Sequence, residues 1–171
     1  MERRASLELR AKGRRLEGYA ALYGVDTRIS DFTEVIMPGA FTDTLREGRD
    51  VLALADHDPK AVLARTRSGT LRLSEDSRGL HFDLDVPNTS IGRDLIELAE
   101  RGDIGGASFA FTVRDKGERW TDNRRELHAV NLHEISIVSA WPAYDGTVVQ
   151  ARRRPAALGK LAAARHWLES C

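Results

Sequence analysis

The chain has 171 residues, 42% hydrophobic and 30% charged, which suits one domain with a core of its own and calls for no second one. No apolar run approaches the roughly 18 residues of a membrane helix, and residues 1–6 lack the apolar stretch of a secretory signal. The sole cysteine, Cys171, excludes an intrachain disulfide or thiolate metal site, so a reducing cytoplasm is expected. The formal charge is zero but uneven: residues 1–17 hold six basic and three acidic side chains, residues 150–171 five and one, and the middle is left near −7. Such a body is poorly suited to nucleic acid.

Residues 6–10 alternate weakly. Leu16-Glu17-Gly18-Tyr19-Ala20-Ala21-Leu22-Tyr23-Gly24 predicts a strand with glycines at a bulge and at the exit. A polar loop through Ser30 and Asp31 leads to a second strand, residues 32–37, ended by Pro38-Gly39. Residues 41–46 read as a short helix stopped by Gly48, with Phe41 and Leu45 facing inward. Residues 51–59 form a strand with Leu52 and Leu54 on one face and Val51, Ala53, Ala55 and His57 on the other. His57 thus emerges at a strand end among small side chains, between Asp56 and Asp58, which favour the imidazolium and hold the ring. Taken alone, it reads more readily as a solvated histidine before a proline turn.

Residues 62–66, 70–74 and 79–86 predict a meander, with turns at Ser68-Gly69 and Asp76-Ser77-Arg78-Gly79. Leu80, Phe82, Leu84 and Val86 point inward and His81, Asp83 and Asp85 outward. Pro87-Asn88-Thr89-Ser90 opens the clearest helix, capped by Asn88 or Thr89, with Ile91, Leu95, Leu98 and Ala99 as its buried stripe and Gly102 as its stop. It delivers the chain to a strand, Gly105-Gly106-Ala107-Ser108-Phe109-Ala110-Phe111-Thr112-Val113. Phe109, Phe111 and Val113 face the core, while Ser108, Ala110 and Thr112 lie on a shallow, open face. A strand end and charged turn follow through Lys116-Gly117, then strands at residues 125–130 and 131–139. In the last, Ile135 and Ile137 are in phase with His133, whereas Glu134, Ser136 and Val138 share the opposite face. Residues 141–146 read as a tight loop, 147–150 as a short strand, and 155–169 as a helix with Leu158, Leu161 and Leu168 on one side.

His57, Ser108 and Glu134 therefore occupy the small-residue faces of three strands. Acyl transfer needs these types: a serine hydroxyl is inert until a nearby base takes its proton, and the base works best when a third group fixes its tautomer. By itself, a serine after two glycines is an ordinary surface residue. Gly106-Ala107-Ser108-Phe109-Ala110 is not a nucleophile elbow, because position 110 is alanine and no helix follows. No metal or other cofactor is expected: His128 and Glu134 share a face, His133 opposes them by parity, and there is no H-E-x-x-H helix.

Leu16-Glu17-Gly18-Tyr19-Ala20, Val35-Ile36-Met37-Pro38-Gly39-Ala40-Phe41, His57-Asp58-Pro59, Asn88-Thr89-Ser90-Ile91-Gly92-Arg93-Asp94, Gly105-Gly106-Ala107-Ser108-Phe109-Ala110-Phe111 and Glu134-Ile135-Ser136-Ile137-Val138-Ser139-Ala140-Trp141-Pro142-Ala143-Tyr144 follow one another in this order. Their succession resembles the prohead (head-maturation) serine proteases of tailed bacteriophages over about residues 16–150. The resemblance implies a mainly β single domain, a β-barrel with a few short helices similar to the herpesvirus assembly proteases. A basic N-terminal segment, residues 1–15, precedes it and a basic helical tail, residues 151–171, follows. Members of that family cleave scaffold protein, or the scaffolding segment of the major capsid protein precursor, inside the immature shell, and often themselves.

The implied activity is thus a serine endopeptidase acting in the bacterial host cytoplasm inside the assembling prohead. A homo-oligomer is expected, with no nucleic-acid or membrane partner. Carried over residue by residue, His57 is the base and Ser108 the nucleophile. Glu134 resembles the third member, where the herpesvirus enzymes have a histidine. The sequence departs from the family pattern at Ala107, where Met is common, and at Ala110, usually Gly, which bears on the substrate groove. The herpesvirus enzymes bind the oxyanion with an arginine-bearing loop; residues 140–146 contain no arginine, so backbone N–H groups around Ala143 and Tyr144 are the candidates. The alternative is a catalytically silent phage structural or scaffold-binding barrel. The tail is expected to dock on a second subunit or on scaffold, and to be open to self-cleavage.

Overall fold

Alternating apolar and polar residues dominate the sequence, and the chain folds accordingly. The structure, a computed structural model, describes residues 1–6 and 9–139; the expected loop, short strand and tail beyond Ser139 lie outside them. In chain order the elements are β1 (Glu2–Ser6), β2 (Leu9–Lys12), β3 (Arg15–Leu22), β4 (Thr27–Ile29), β5 (Phe32–Ile36), α1 (Thr42–Arg46), β6 (Leu52–Ala55) and β7 (Val62–Arg65). There follow β8 (Leu71–Glu75), β9 (Gly79–Asp85), α2 (Ser90–Arg101), β10 (Gly106–Val113), β11 (Glu118–Thr121), β12 (Arg124–Leu127) and β13 (Val130–Val138). No helix among the described residues is long and apolar enough to cross a membrane.

The strands form three sheets, ordered β1-β10-β13-β6-β7, β11-β12-β5-β4 and β2-β3-β9-β8. Pairing is antiparallel except for β13 with β6 and β12 with β5. Leu16, Phe82 and Leu84 of one sheet, Ile36 and Leu127 of another, and Phe109, Phe111, Ile135 and Ile137 of the third join one buried cluster. Among the described residues the fold is therefore mainly β with two helices and a single core. Among the described residues no sheet returns to its first strand, so these pairings draw three open sheets around that core. Phe41 packs edge-on against Phe109 at 5.6 Å, and Phe109 stacks on Phe111 at 5.4 Å, which seats the inner face of β10.

Several expectations are revised. Residues 27–29 and 118–121 are edge strands and not loops, because their pairing comes from β5 and β12 and not from apolar alternation. Residues 2–6, within the basic N-terminal segment, pair antiparallel with β10, Ala5 opposite Ser108. In α2, Thr89 accepts the Gly92 N–H as N-cap and Gly102, at φ 78°, closes the C-terminus. The buried face, however, is Gly92 and Leu95 with Ile96 and Ala99 alongside, and Ile91 is 43% exposed. The cause is close approach: a Cβ at position 92 would stand 2.1 Å from the Pro87 carbonyl oxygen, so the helix packs by its glycine and the stripe starts one residue later than the apolar spacing suggests.

Two polar side chains complete the frame. Thr44, buried on α1, donates its hydroxyl to the Val130 carbonyl (2.8 Å) and accepts the Leu132 N–H (3.1 Å), serving the edge of β13 as a strand would. Arg125 on β12 is a hub: it reaches Glu2 through both terminal nitrogens (2.5 and 2.9 Å), Glu34 (2.9 Å) and Glu118 (2.6 Å). Burial works against its charge, but the three carboxylates outweigh burial and hold the guanidinium above the usual arginine range. Through Glu2 the hub ties β1, and with it the edge of β10, to the second sheet.

Candidate active site

The outer face of the five-stranded sheet carries the site. On β10, Ala107, Phe109 and Phe111 enter the core cluster, so Ser108, Ala110 and Thr112 point the other way, as the alternation predicts. Register pairs Ser108 with Ser136 and Ala110 with Glu134 across to β13, which makes them direct neighbours on one face. Ser108 is 4% exposed, not open. β1 and β13 flank it on both sides.

β13 changes phase part-way along. Val130 and Leu132 face the core, and so do Ile135 and Ile137; the switch is an irregularity between Ala110 and Phe111, where Ala110 pairs with Glu134 but Phe111 with Leu132, skipping His133. His133 is therefore not in phase with Ile135 and Ile137, as strict period two requires. It joins the outer face, where its Nε2 lies 3.0 Å from Thr112 Oγ1. Burial first, then the positive N-terminus and Arg49, hold its imidazole below the usual range, against the opposing pull of Glu134. Thr112 stands four residues from Ser108, about 13.5 Å along a strand, so His133 is too distant to serve that hydroxyl.

His57 reaches the face by a different route. β6 ends at Ala55, and His57 follows in a turn, φ 60°, after Asp56 at φ 48°. Strand parity does not place it; a left-handed turn does. The turn lies at the level of Ile137, whose carbonyl accepts the Asp56 N–H (2.9 Å), one residue from the Ser108–Ser136 pair. His57 Nδ1 lies 2.5 Å from Glu134 Oε1, with the side chains 16% and 10% exposed. With the Glu134 oxygen as acceptor, Nδ1 is the donor in this contact. Ser136, fully buried, adds a long hydrogen bond to the same oxygen (3.5 Å).

The flanking aspartates act differently from expectation. Asp56 accepts from Ser139, both N–H (2.7 Å) and hydroxyl (3.0 Å), and Asp58 accepts the Lys60 N–H (2.8 Å). Their carboxylates build the turn, and the partner of the ring is Glu134. Sequence reasoning missed this clamp; its one signal is that aspartate tolerates the left-handed region better than most residues. His57 and Glu134 are thus joined, and Ser108 shares their face one strand beyond β13. No hydrogen bond links Ser108 to His57, a looseness common where no substrate is bound. Ala143 and Tyr144 lie outside the described residues.

A serine, a histidine and a carboxylate that orients the histidine through Nδ1 are the parts of a serine hydrolase. The comparison of the whole chain narrows that class. The family model of the caudovirus prohead serine protease matches residues 2–160, and the chain belongs to that family. It is a serine peptidase of a family that acts in phage capsid maturation. Comparisons with curated proteins and with solved structures return no match.

Proposed function

We propose that this chain is the maturation endopeptidase of a phage prohead, cleaving scaffold protein or the scaffolding segment of the capsid protein precursor, and its own chain, by serine acyl transfer. The observation that carries the reading is the 2.5 Å contact between His57 Nδ1 and Glu134 Oε1, held in a largely buried site on the face of Ser108. Glu134 fixes the tautomer in which Nε2 is unprotonated. Nε2 takes the proton of Ser108 Oγ as that oxygen attacks the scissile carbonyl carbon; the same proton then passes to the leaving amine as the C–N bond breaks. Water, deprotonated by Nε2 in turn, releases the second product from the acyl-enzyme. N–H groups around Ala143 and Tyr144 receive the oxyanion. In the same reading, the three sheets are the open description of a barrel similar to that of the herpesvirus assembly proteases, the protease domain takes in β1 and β2 of the basic N-terminal segment together with residues 16–150, and the enzyme works as a homo-oligomer in the host cytoplasm within the assembling prohead.

The test is a fluorophosphonate probe with intact-mass readout, on wild type, Ser108→Ala and His57→Ala. Wild type gains one label, at Ser108, and converts scaffold; the folded variants do neither. Labelling elsewhere, or scaffold cleavage by Ser108→Ala at the wild-type rate, removes the assignment. A wild-type protein that neither labels nor cleaves is the silent structural barrel.

A further inference from the structure

The turn that presents His57 is built against local preference. Asp56 and His57 are consecutive non-glycine residues at positive φ, 48° and 60°, a conformation that persists only where the surroundings over-determine it. Restraints internal to the turn include Asp58 N–H to the Ala55 carbonyl (2.9 Å), Ala61 N–H to the Asp58 carbonyl (2.9 Å) and Lys60 N–H to Asp58 Oδ1 (2.8 Å). Others come from Asp56 and run to β13. The backbone register of β6 with β13 stops at Ala55 opposite Ile137. Beyond it the Asp56 N–H still finds the Ile137 carbonyl, and then the Asp56 side chain takes over, one oxygen on the Ser139 N–H and the other on the Ser139 hydroxyl. A carboxylate thus extends the parallel ladder past the point where the main chain leaves it.

We infer that Asp56 is a positioning residue for the base: by clamping the His57 turn to the Ser139 end of β13, it holds the imidazole on the Glu134 carboxylate of that same strand. This rests on the reading of His57 as the base. Glu134 and Ser139 are five residues apart on one chain segment, so two contacts from adjacent residues, Asp56 to Ser139 and His57 to Glu134, fix both the location and the rotation of the ring. Neither contact alone does so. Asp56 touches no reacting atom, and its effect reaches the chemistry only through the ring.

Asp56→Gly and Asp56→Asn test it. Glycine takes the left-handed backbone without strain, so Asp56→Gly folds while losing the clamp. Asparagine tolerates the same backbone and keeps an oxygen for the Ser139 N–H. Peptidase kinetics on a scaffold-derived peptide should show Asp56→Gly with kcat lower by about 10²-fold and KM unchanged, as misplacement of a catalytic group by about 1 Å does; Asp56→Asn should recover most of that loss. The second readout needs no turnover: in the Ser108→Ala background, the low-field proton NMR signal of His57 Nδ1–H should vanish in Asp56→Gly and persist in Asp56→Asn. A signal that persists in Asp56→Gly overturns the inference whatever the rate does, as does a wild-type kcat. If the wild type itself shows no peptidase activity, the reading of the site fails, and the NMR signal still decides whether Asp56 holds the ring.

Discussion

Glu134→Gln isolates the charge of the third group, since glutamine is nearly the same shape and its Oε1 still accepts from His57 Nδ1. What is lost is the charge facing the imidazolium that forms when Nε2 takes the serine proton. Hydrogen bonds to charged groups contribute about 1.5–3 kcal/mol. Here the pair is close, at 2.5 Å, and its side chains are only 16% and 10% exposed, so surface screening removes little of that. At about 1.4 kcal/mol per decade, kcat should fall roughly 10- to 150-fold. His57→Ala, which removes the proposed base itself, should cost more. The assay is single-turnover cleavage of a scaffold-derived peptide, with rates of fluorophosphonate labelling in parallel. Both should drop together, because each needs the same deprotonated Ser108. A Glu134→Gln enzyme within twofold of wild type in both would refute the reasoning: the short contact would then be structural.

Thr44→Val keeps the volume but strands the Val130 carbonyl and the Leu132 N–H inside the protein; with about 1–3 kcal/mol for each unsatisfied group, thermal denaturation should show a loss of roughly 2–6 kcal/mol. Arg125→Met leaves Glu2, Glu34 and Glu118 facing one another, with Glu34 almost wholly buried, and removing one partner of such a network typically costs about 3–5 kcal/mol; a denaturation midpoint equal to wild type would show that water reaches the cluster. Arg72 first, against burial, and then Arg15 lower the Asp83 carboxyl to about 2. A group depressed on folding stabilises above its unfolded pKa, near 3.9, and loses that contribution as pH falls toward 2; after solvent screening it is about 1 kcal/mol. Asp83→Asn should therefore be less stable than wild type at pH 7 and indistinguishable from it near pH 2.

Much of this fold is legible in the residues, because period-two alternation and capping chemistry act locally. The β3, β5, β8, β9 and β10 strands, the Thr89 cap and the Gly102 stop follow from neighbours in sequence, and so does the outward face of Ser108. The parts that escaped depend on partners far along the chain. His133 changes face because β10 offers it no opposite residue; nothing in Asn131-Leu132-His133-Glu134 marks that slip. His57 is placed by a turn whose anchor, Ser139, lies 83 positions from Asp56. Arg125 gathers carboxylates from β1, β5 and β11, each of which alone reads as an ordinary surface charge. Glu134, reached by parity through the wrong geometry for its neighbour His133, is nonetheless on the face expected, because the phase slip falls just before it.

The order of strands in the five-stranded sheet has a consequence for when this peptidase can act. Its central strand, β13, is made last of the five, after the edge strand β1, the nucleophile strand β10 and the β6 strand that leads to His57. Until residue 134 has been synthesised and inserted between β10 and β6, the base has no carboxylate and the serine strand no inner neighbour. On the proposed reading, a chain still growing through β13 is therefore inactive. Long-range pairing of this kind is also slow to form. On the proposed reading of the site, the peptidase becomes competent only once this sheet has closed around β13.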